Sequence, residues 1–257
     1  MFPARRRNPT TVQDNYDNER DRERMTFEIS KPDLDTYVFG DPSGMDFGLV
    51  DDQVVYGAIQ EPRRRVLEAI ESRLRPFLQN NRGTIVEFGS GNGRNLIALK
   101  KKYPAASLVG FELSPRSVLL ARQAADYFEL DIGFYEANTC GESLPSLPKD
   151  VAACFSCHAL EQMPRIFPRA VENMLKLTRF EVLMLEPVVE LYPRNIRGTI
   201  SRWRALSLDR LIGLIPYLEQ RGIAFETERL KNADNPLNET CIVQIHKTPD
   251  KRDSKRQ

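Results

Sequence analysis

The chain has 257 residues, 41% hydrophobic and 28% charged, the balance of a soluble globular protein of one or two domains. Thirty-seven Lys and Arg stand against 36 Asp and Glu, so a net charge of +1 exerts no global pull on nucleic acid or an anionic membrane, although a local patch stays open. No run of about 18 apolar residues exists to span a bilayer, MFPARRRNPT lacks the apolar stretch of a secretory signal, and four cysteines are too few for a disulfide framework. A reducing, cytoplasmic location is expected.

Residues 1 to about 24 read as a polar tail of mixed charge. Residues 25–60 are mixed and rich in turn formers, and Tyr37, Phe39, Phe47 and Tyr56 punctuate them. These aromatics either pack the segment down or line a pocket. Val66, Leu67, Ile70, Leu74, Phe77 and Leu78 recur at helical spacing and predict a helix over 62–79. Strands and helices then alternate: TIVEF, a helix from Arg94 to Tyr103, SLVGFEL, and a helix capped by Ser114 with Pro115 at its first position. IGFYEAN, DVAACFS and FEVLMLEP follow as strands, with a helix over 161–177 before the last. Such alternation builds a parallel, doubly wound α/β sheet. Residues 223–230 and 240–247 also read as strands, joined by KNADNPLNE, too short for a crossover helix, so this pair is antiparallel. Between them and the fifth strand, LYPRNIRGTISRWRAL reads as basic and irregular, and a helix closed by Gly222 follows it. The domain is thus expected over 61–248 with a substrate cap at 188–222, preceded by a tail and possible lid (1–60) and followed by a polar tail (249–257).

The densest motif is VEFGSGNGRN. Its glycines, Gly89, Gly91 and Gly93, follow a strand and open a helix, so a ligand can approach the backbone. The spacing is G-x-G-x-G. A dinucleotide fingerprint would need glycine where Arg94 stands, and no Gly-Lys-Ser/Thr ending marks a phosphate loop. Glu87, two residues before the first glycine, would repel a pyrophosphate and suits a cation. Glu112 ends the next strand, where a carboxylate can accept both hydroxyls of a ribose or simply favour the helix N-terminus that follows.

VEFGSGNGRNLIAL followed by GFELSPRSV resembles motif I and the second-strand acid of class I S-adenosylmethionine-dependent methyltransferases. The resemblance covers about residues 83–187 and the terminal hairpin. It implies a seven-stranded, mostly parallel sheet whose last strand is antiparallel between its neighbours, and S-adenosyl-L-methionine as cofactor. It implies that Gly89, Ser90, Gly91 and Gly93 pass beneath the methionine part and that Glu87 lies near its amino end. Glu112, with Leu113 beside it, would hold the ribose. Asn138, after the third strand, is the counterpart of the residue that meets adenine; it can equally make a local Asx turn.

The acceptor is expected beside CHALEQMP. His158, one of two histidines, can take a proton from an attacking group or only support the pocket. Glu161, Glu186, Arg197 and Trp203 are candidate substrate contacts. Glu161 also suits a helix start, and the arginines near Trp203 could belong to a solvated loop, a pocket or a nucleic-acid surface. His246 reads as a strand-end residue. Cys154 and Cys157 lie within a strand and read as core, and no residues have metal-site spacing. The signature NPPY or DPPY is missing after the fourth strand. The expected function is methyl transfer to oxygen or nitrogen of a small molecule of sugar or natural-product type. RNA or protein acceptors, and an inactive partner with the same fold, are the alternatives. Neither membrane nor metal is expected, and the sequence does not give the oligomeric state.

Overall fold

A computed structural model describes residues 23–58, 60–147, 150–163, 166–208, 210–232 and 235–247. The first 22 residues of the expected tail and the tail at 249–257 lie outside the described residues.

Residues 23–30 are helical (α1). Helix α2 (Leu34–Phe39) follows, capped by Asp33, whose carboxylate accepts the backbone N–H of Thr36. Strands β1 (Met45–Val50) and β2 (Gln53–Ala58) form an antiparallel hairpin. Its two turn residues, Asp51 and Asp52, both have positive φ, the conformation a two-residue hairpin turn requires. The sequence showed only a turn-rich stretch here, because neither the hairpin nor α2 has a sustained apolar period. Helix α3 (Gln60–Asn80) leads into the main sheet. Then come β3 (Thr84–Phe88), α4 (Arg94–Lys102), β4 (Ser107–Glu112), α5 (Pro115–Tyr127) and β5 (Gly133–Glu136). They are followed by β6 (Val151–Cys157), α6 (Phe167–Leu177), β7 (Thr178–Glu186), α7 (Ile196–Ser207), α8 (Leu214–Gln220), β8 (Glu226–Arg229) and β9 (Cys241–His246).

Seven strands form one sheet in the order β5-β4-β3-β6-β7-β9-β8. The first five are parallel, while β9 runs antiparallel to both β7 and β8. Strand order reverses between β3 and β6, the switch point at which such sheets bind ligands. Alternate side chains feed two cores. Ile85, Leu183, Leu185 and Ile242 meet α3, α4 and α5 on one face. Val86, Phe88, Val182, Met184 and Val243 meet α6 and α8 on the other. A third cluster packs Phe27, Tyr37, Val38 and Phe39 of α1 and α2 onto Ile97 and Leu120. Tyr37 and Phe39 therefore pack their segment down, while Phe47 and Tyr56 stay exposed on the hairpin.

Three expected elements differ. The helix expected over 161–177 is a 3-10 turn at Leu160–Gln162 followed by α6, which starts afresh with a proline in its first turn. The stretch read as irregular contains α7, capped by Asn195, whose Oδ1 accepts the Gly198 N–H at 2.9 Å. The helix expected to follow it shrinks to α8, which begins only after Gly213 in the left-handed region.

Candidate active site

The site lies at the carboxyl ends of β3, β4, β6 and β7. On its β3–β4 side, the N–H groups of Gly89 and Ser90 both donate to the Phe111 carbonyl, at 2.8 and 3.0 Å, which folds the loop back over the sheet. Gly89 has φ +75°, and a Cβ there would lie 2.4 Å from that of Ala159. Gly91 has φ +52°, but a Cβ there would meet nothing within 4 Å. The first glycine is thus required by packing, and the second sits beside open room. Gly93, also left-handed, caps α4 without a side chain.

Two acids face this loop. Glu112 accepts the Gly91 N–H through Oε2 and the Ser114 N–H through Oε1, both at 2.9 Å. The carboxylate is held rigidly and retains lone pairs for further donors. Glu87 is buried, and Asn95 Nδ2 donates to its Oε1 at 2.7 Å, while Oε2 has no partner. Burial pushes its carboxyl up to about 8; the Asn95 bond opposes this and the Glu112 charge adds to it. A cation placed here would restore the ionised form. Ser90 turns its hydroxyl down onto Gly110, so only its backbone faces the loop. Leu113 is exposed beside Glu112. Asn138 is exposed and makes the Asx turn, its Oδ1 accepting the Cys140 N–H at 3.0 Å.

The β6–β7 side is a polar cluster. His158 leaves β6 with φ +53°. Its Nε2 lies 2.8 Å from the Thr240 hydroxyl and its Nδ1 3.6 Å from Glu161 Oε1. Glu161 is buried; Oε2 pairs with Arg210 at 2.9 Å and accepts from Asn238 Nδ2 at 3.1 Å. Burial alone would raise its carboxyl, but the bonds and charges of His158 and Arg210 prevail and hold it below the ordinary range.

Glu186 differs from its expected place. It is fully buried, and its carboxylate accepts three backbone N–H groups: Ala159 and Leu160 at 3.0 Å and Glu161 at 3.2 Å. It holds the turn that carries His158 and Glu161 and has no exposed surface. Burial raises it to about 7. Arg197 also differs. It joins Asp52 at the hairpin tip and donates to buried Glu239 at 3.1 Å; Arg229 donates to both acids at 2.9 Å. Trp203 stands exposed on α7. His246 ends β9 and bonds Glu181 at 2.8 Å, and all four cysteines are free. Among the described residues no group of His, Cys, Asp and Glu could hold a metal ion. No motif marks Asn95, Arg210 or Asp52; Asn238 and Thr240 lie in the NPLNET stretch before β9, whose partners are distant in the chain.

An α/β domain with this strand order, a glycine loop after its first sheet strand and an acid ending the next defines a class I methyltransferase fold. Residues 85–180 match the family model described as "Methyltransferase domain". This stretch is a methyltransferase domain with S-adenosyl-L-methionine as its cofactor, and the chain around it shares the class I methyltransferase fold. The fold resembles magnesium protoporphyrin IX methyltransferase (ChlM) from Synechocystis PCC 6803, solved with bound SAM, at 13% identity and TM-score 0.55, covering 89% of this chain and 97% of that one. It resembles the cyclase SpnF at 16% identity and TM-score 0.61, covering 88% and 96%. It also resembles a geranyl diphosphate methyltransferase solved with GPP and sinefungin, at 9% identity and TM-score 0.55, covering 74% and 80%. A search of the curated proteins found no match. Among the described residues no helix is long and apolar enough to cross a membrane.

Proposed function

We propose that the protein methylates oxygen or nitrogen of a small-molecule acceptor of sugar or natural-product type, in the cytoplasm. The observation that carries this reading is the juxtaposition at one sheet edge of an acidic glycine cradle and the polar cluster around His158. The cofactor, when bound, supplies an electrophilic methyl on a sulfonium. Its cationic amino end suits Glu87, whose Oε2 is unpartnered, and its ribose hydroxyls suit Glu112. Leu113 and Asn138 would flank the adenine, Asn138 through its amide nitrogen, since its Oδ1 is taken by the Cys140 N–H.

An acceptor taking that methyl at a protonated oxygen or nitrogen would have to give up its proton. His158 is the group to take it. Glu161 faces Nδ1 and a hydroxyl faces Nε2, the acid–imidazole–hydroxyl order in which a carboxylate steadies the ring while the far nitrogen receives the proton. Thr240 holds that nitrogen now, so the acceptor must displace it or act beside it. Glu186 keeps the turn in place. A nucleic-acid acceptor is less favoured, because the net charge is balanced and Arg197, beside the site, is bound to acids within the protein.

The test is transfer of labelled methyl to panels of small molecules, RNA and protein, with His158→Ala as the control variant. Turnover should fall about a hundredfold or more with cofactor affinity nearly unchanged. Equal loss in both would return His158 to a supporting role, and label in RNA or protein alone would overturn the small-molecule reading.

A further inference from the structure

Helix α7 is built inside out. The side turned toward the protein is small and polar, with Gly198, Ser201 and Ala205 buried. Gly198 sits so close that a Cβ there would fall 1.8 Å from the Pro193 carbonyl oxygen. Arginines fasten this side: Arg202 donates to the Tyr192 and Pro193 carbonyls, Arg204 to Asn235 Oδ1 at 2.9 Å, and Arg197 to Glu239 and Asp52. The outward side is apolar. Ile196 is 80% exposed, Ile200 46%, Trp203 68% and Leu206 56%. Steps of four, three and three residues keep them on one face. A surface helix ordinarily turns such a stripe inward. Exposure this high also does not suit the lining of a small-molecule pocket, which is concave and largely buried. A contiguous apolar row in water marks a face that meets another surface.

Charge decides between occupants. From residue 191 to 208 the chain has four arginines and no acid. Arg197 is neutralised by Asp52 and Glu239, but the bonds of Arg202 and Arg204 run to uncharged oxygens, so their charges persist, and Arg194 is exposed just before the helix. Two copies packed face to face about a twofold axis would oppose these like charges. A lipid surface with anionic headgroups satisfies both features: the apolar row enters the acyl boundary, tryptophan sits at the interface, and the cations meet phosphates. The hairpin that Asp52 ties to α7 leaves Met45, Phe47 and Tyr56 exposed as well.

We propose that α7 is an interfacial anchor that lays Ile196, Ile200, Trp203 and Leu206 into an anionic lipid surface. This departs from the expectation drawn from net charge, because the pull is local, and it does not depend on the acceptor assigned above. Trp203 is the only tryptophan in the chain and reports directly on this face. The full chain is titrated with vesicles of phosphatidylcholine and of phosphatidylcholine mixed equally with phosphatidylglycerol. Trp203 emission should shift to the blue with the anionic vesicles, the protein should float with them, and added salt should weaken the effect. Ile200→Gln and Leu206→Gln, which keep the reporter, should each reduce vesicle affinity about tenfold with cofactor affinity unchanged. No shift and no flotation would overturn the proposal. So would emission already blue in buffer, whether it depends on protein concentration, as for a second copy, or not, as for cover by the chain's own residues.

Discussion

The two sides of the site are built differently. The cofactor side is assembled from one continuous stretch: Gly91 and Glu112 meet across 21 residues, Asn95 and Glu87 across eight. The side proposed for the acceptor is assembled from afar. His158 meets Thr240 across 82 residues, Arg197 meets Asp52 across 145, and Glu186 reaches back 27 to hold the turn after β6. A site made by one strand–turn–helix–strand unit can be specified locally, because its backbone path is set by glycine conformation and strand pairing. A site made by five segments depends on how those segments dock.

Substitutions at three positions sharpen this contrast. The largest effect is expected from Glu112→Ala, which removes the carboxylate proposed to hold the ribose and also frees the Gly91 and Ser114 N–H groups. Charge-assisted bonds of this kind predict a loss of cofactor affinity on the order of a hundredfold or more by calorimetry, with an unchanged circular dichroism spectrum. Unaltered affinity would show that the local side is not the cofactor side. Next is Glu186→Ala, which leaves three buried N–H groups without an acceptor. Chemical denaturation should report about 2–4 kcal/mol of lost stability, and turnover should fall more than cofactor affinity. Glu186→Gln, which keeps one acceptor oxygen, should recover part of both. A stability change without a turnover change would mean that the turn after β6 does not serve the acceptor side.

The smallest effect is a pH dependence. With its carboxyl raised to about 8, Glu87 is protonated in the ligand-free protein at neutral pH. Binding a cation must expel that proton, so cofactor affinity should rise with pH up to about 8, by roughly tenfold per unit at most, and level off above. The same raised value makes the ligand-free protein lose stability as pH rises from the ordinary 4.5 toward about 8, since the native state binds a proton the unfolded chain has shed. Glu87→Gln should flatten both profiles. An affinity slope that survives in this variant would belong to another group, the cofactor's own amine included.

The particular elements show why one side was legible. TIVEF, the glycines and VGFEL carry their own geometry: an apolar strand buried on both faces, a turn that only glycine fits where Gly89 touches Ala159, and an acid at a strand end. Pairing of β8 with β9 also followed from a linker too short for a crossover. On the other side, Glu186 looked like a rim residue because its position in β7 was correct, but sequence does not show that the neighbouring turn bends back to place three N–H groups on its carboxylate. Arg197 looked like a free cation because its partners, Asp52 and Glu239, lie 145 and 42 residues away. Helix α7 was hidden because its apolar stripe is interrupted by arginines and faces outward, against the usual pattern.

The sequence by itself therefore determined the sheet, the glycine turn and the two acids that suit a sulfonium nucleotide, since local backbone preference and strand periodicity act within a few residues. Only the tertiary structure decided what His158 faces, that Glu186 is buried against three backbone N–H groups, and that Trp203 looks outward. Burial and long-range hydrogen bonding assign those roles, and they exist only once the segments have packed.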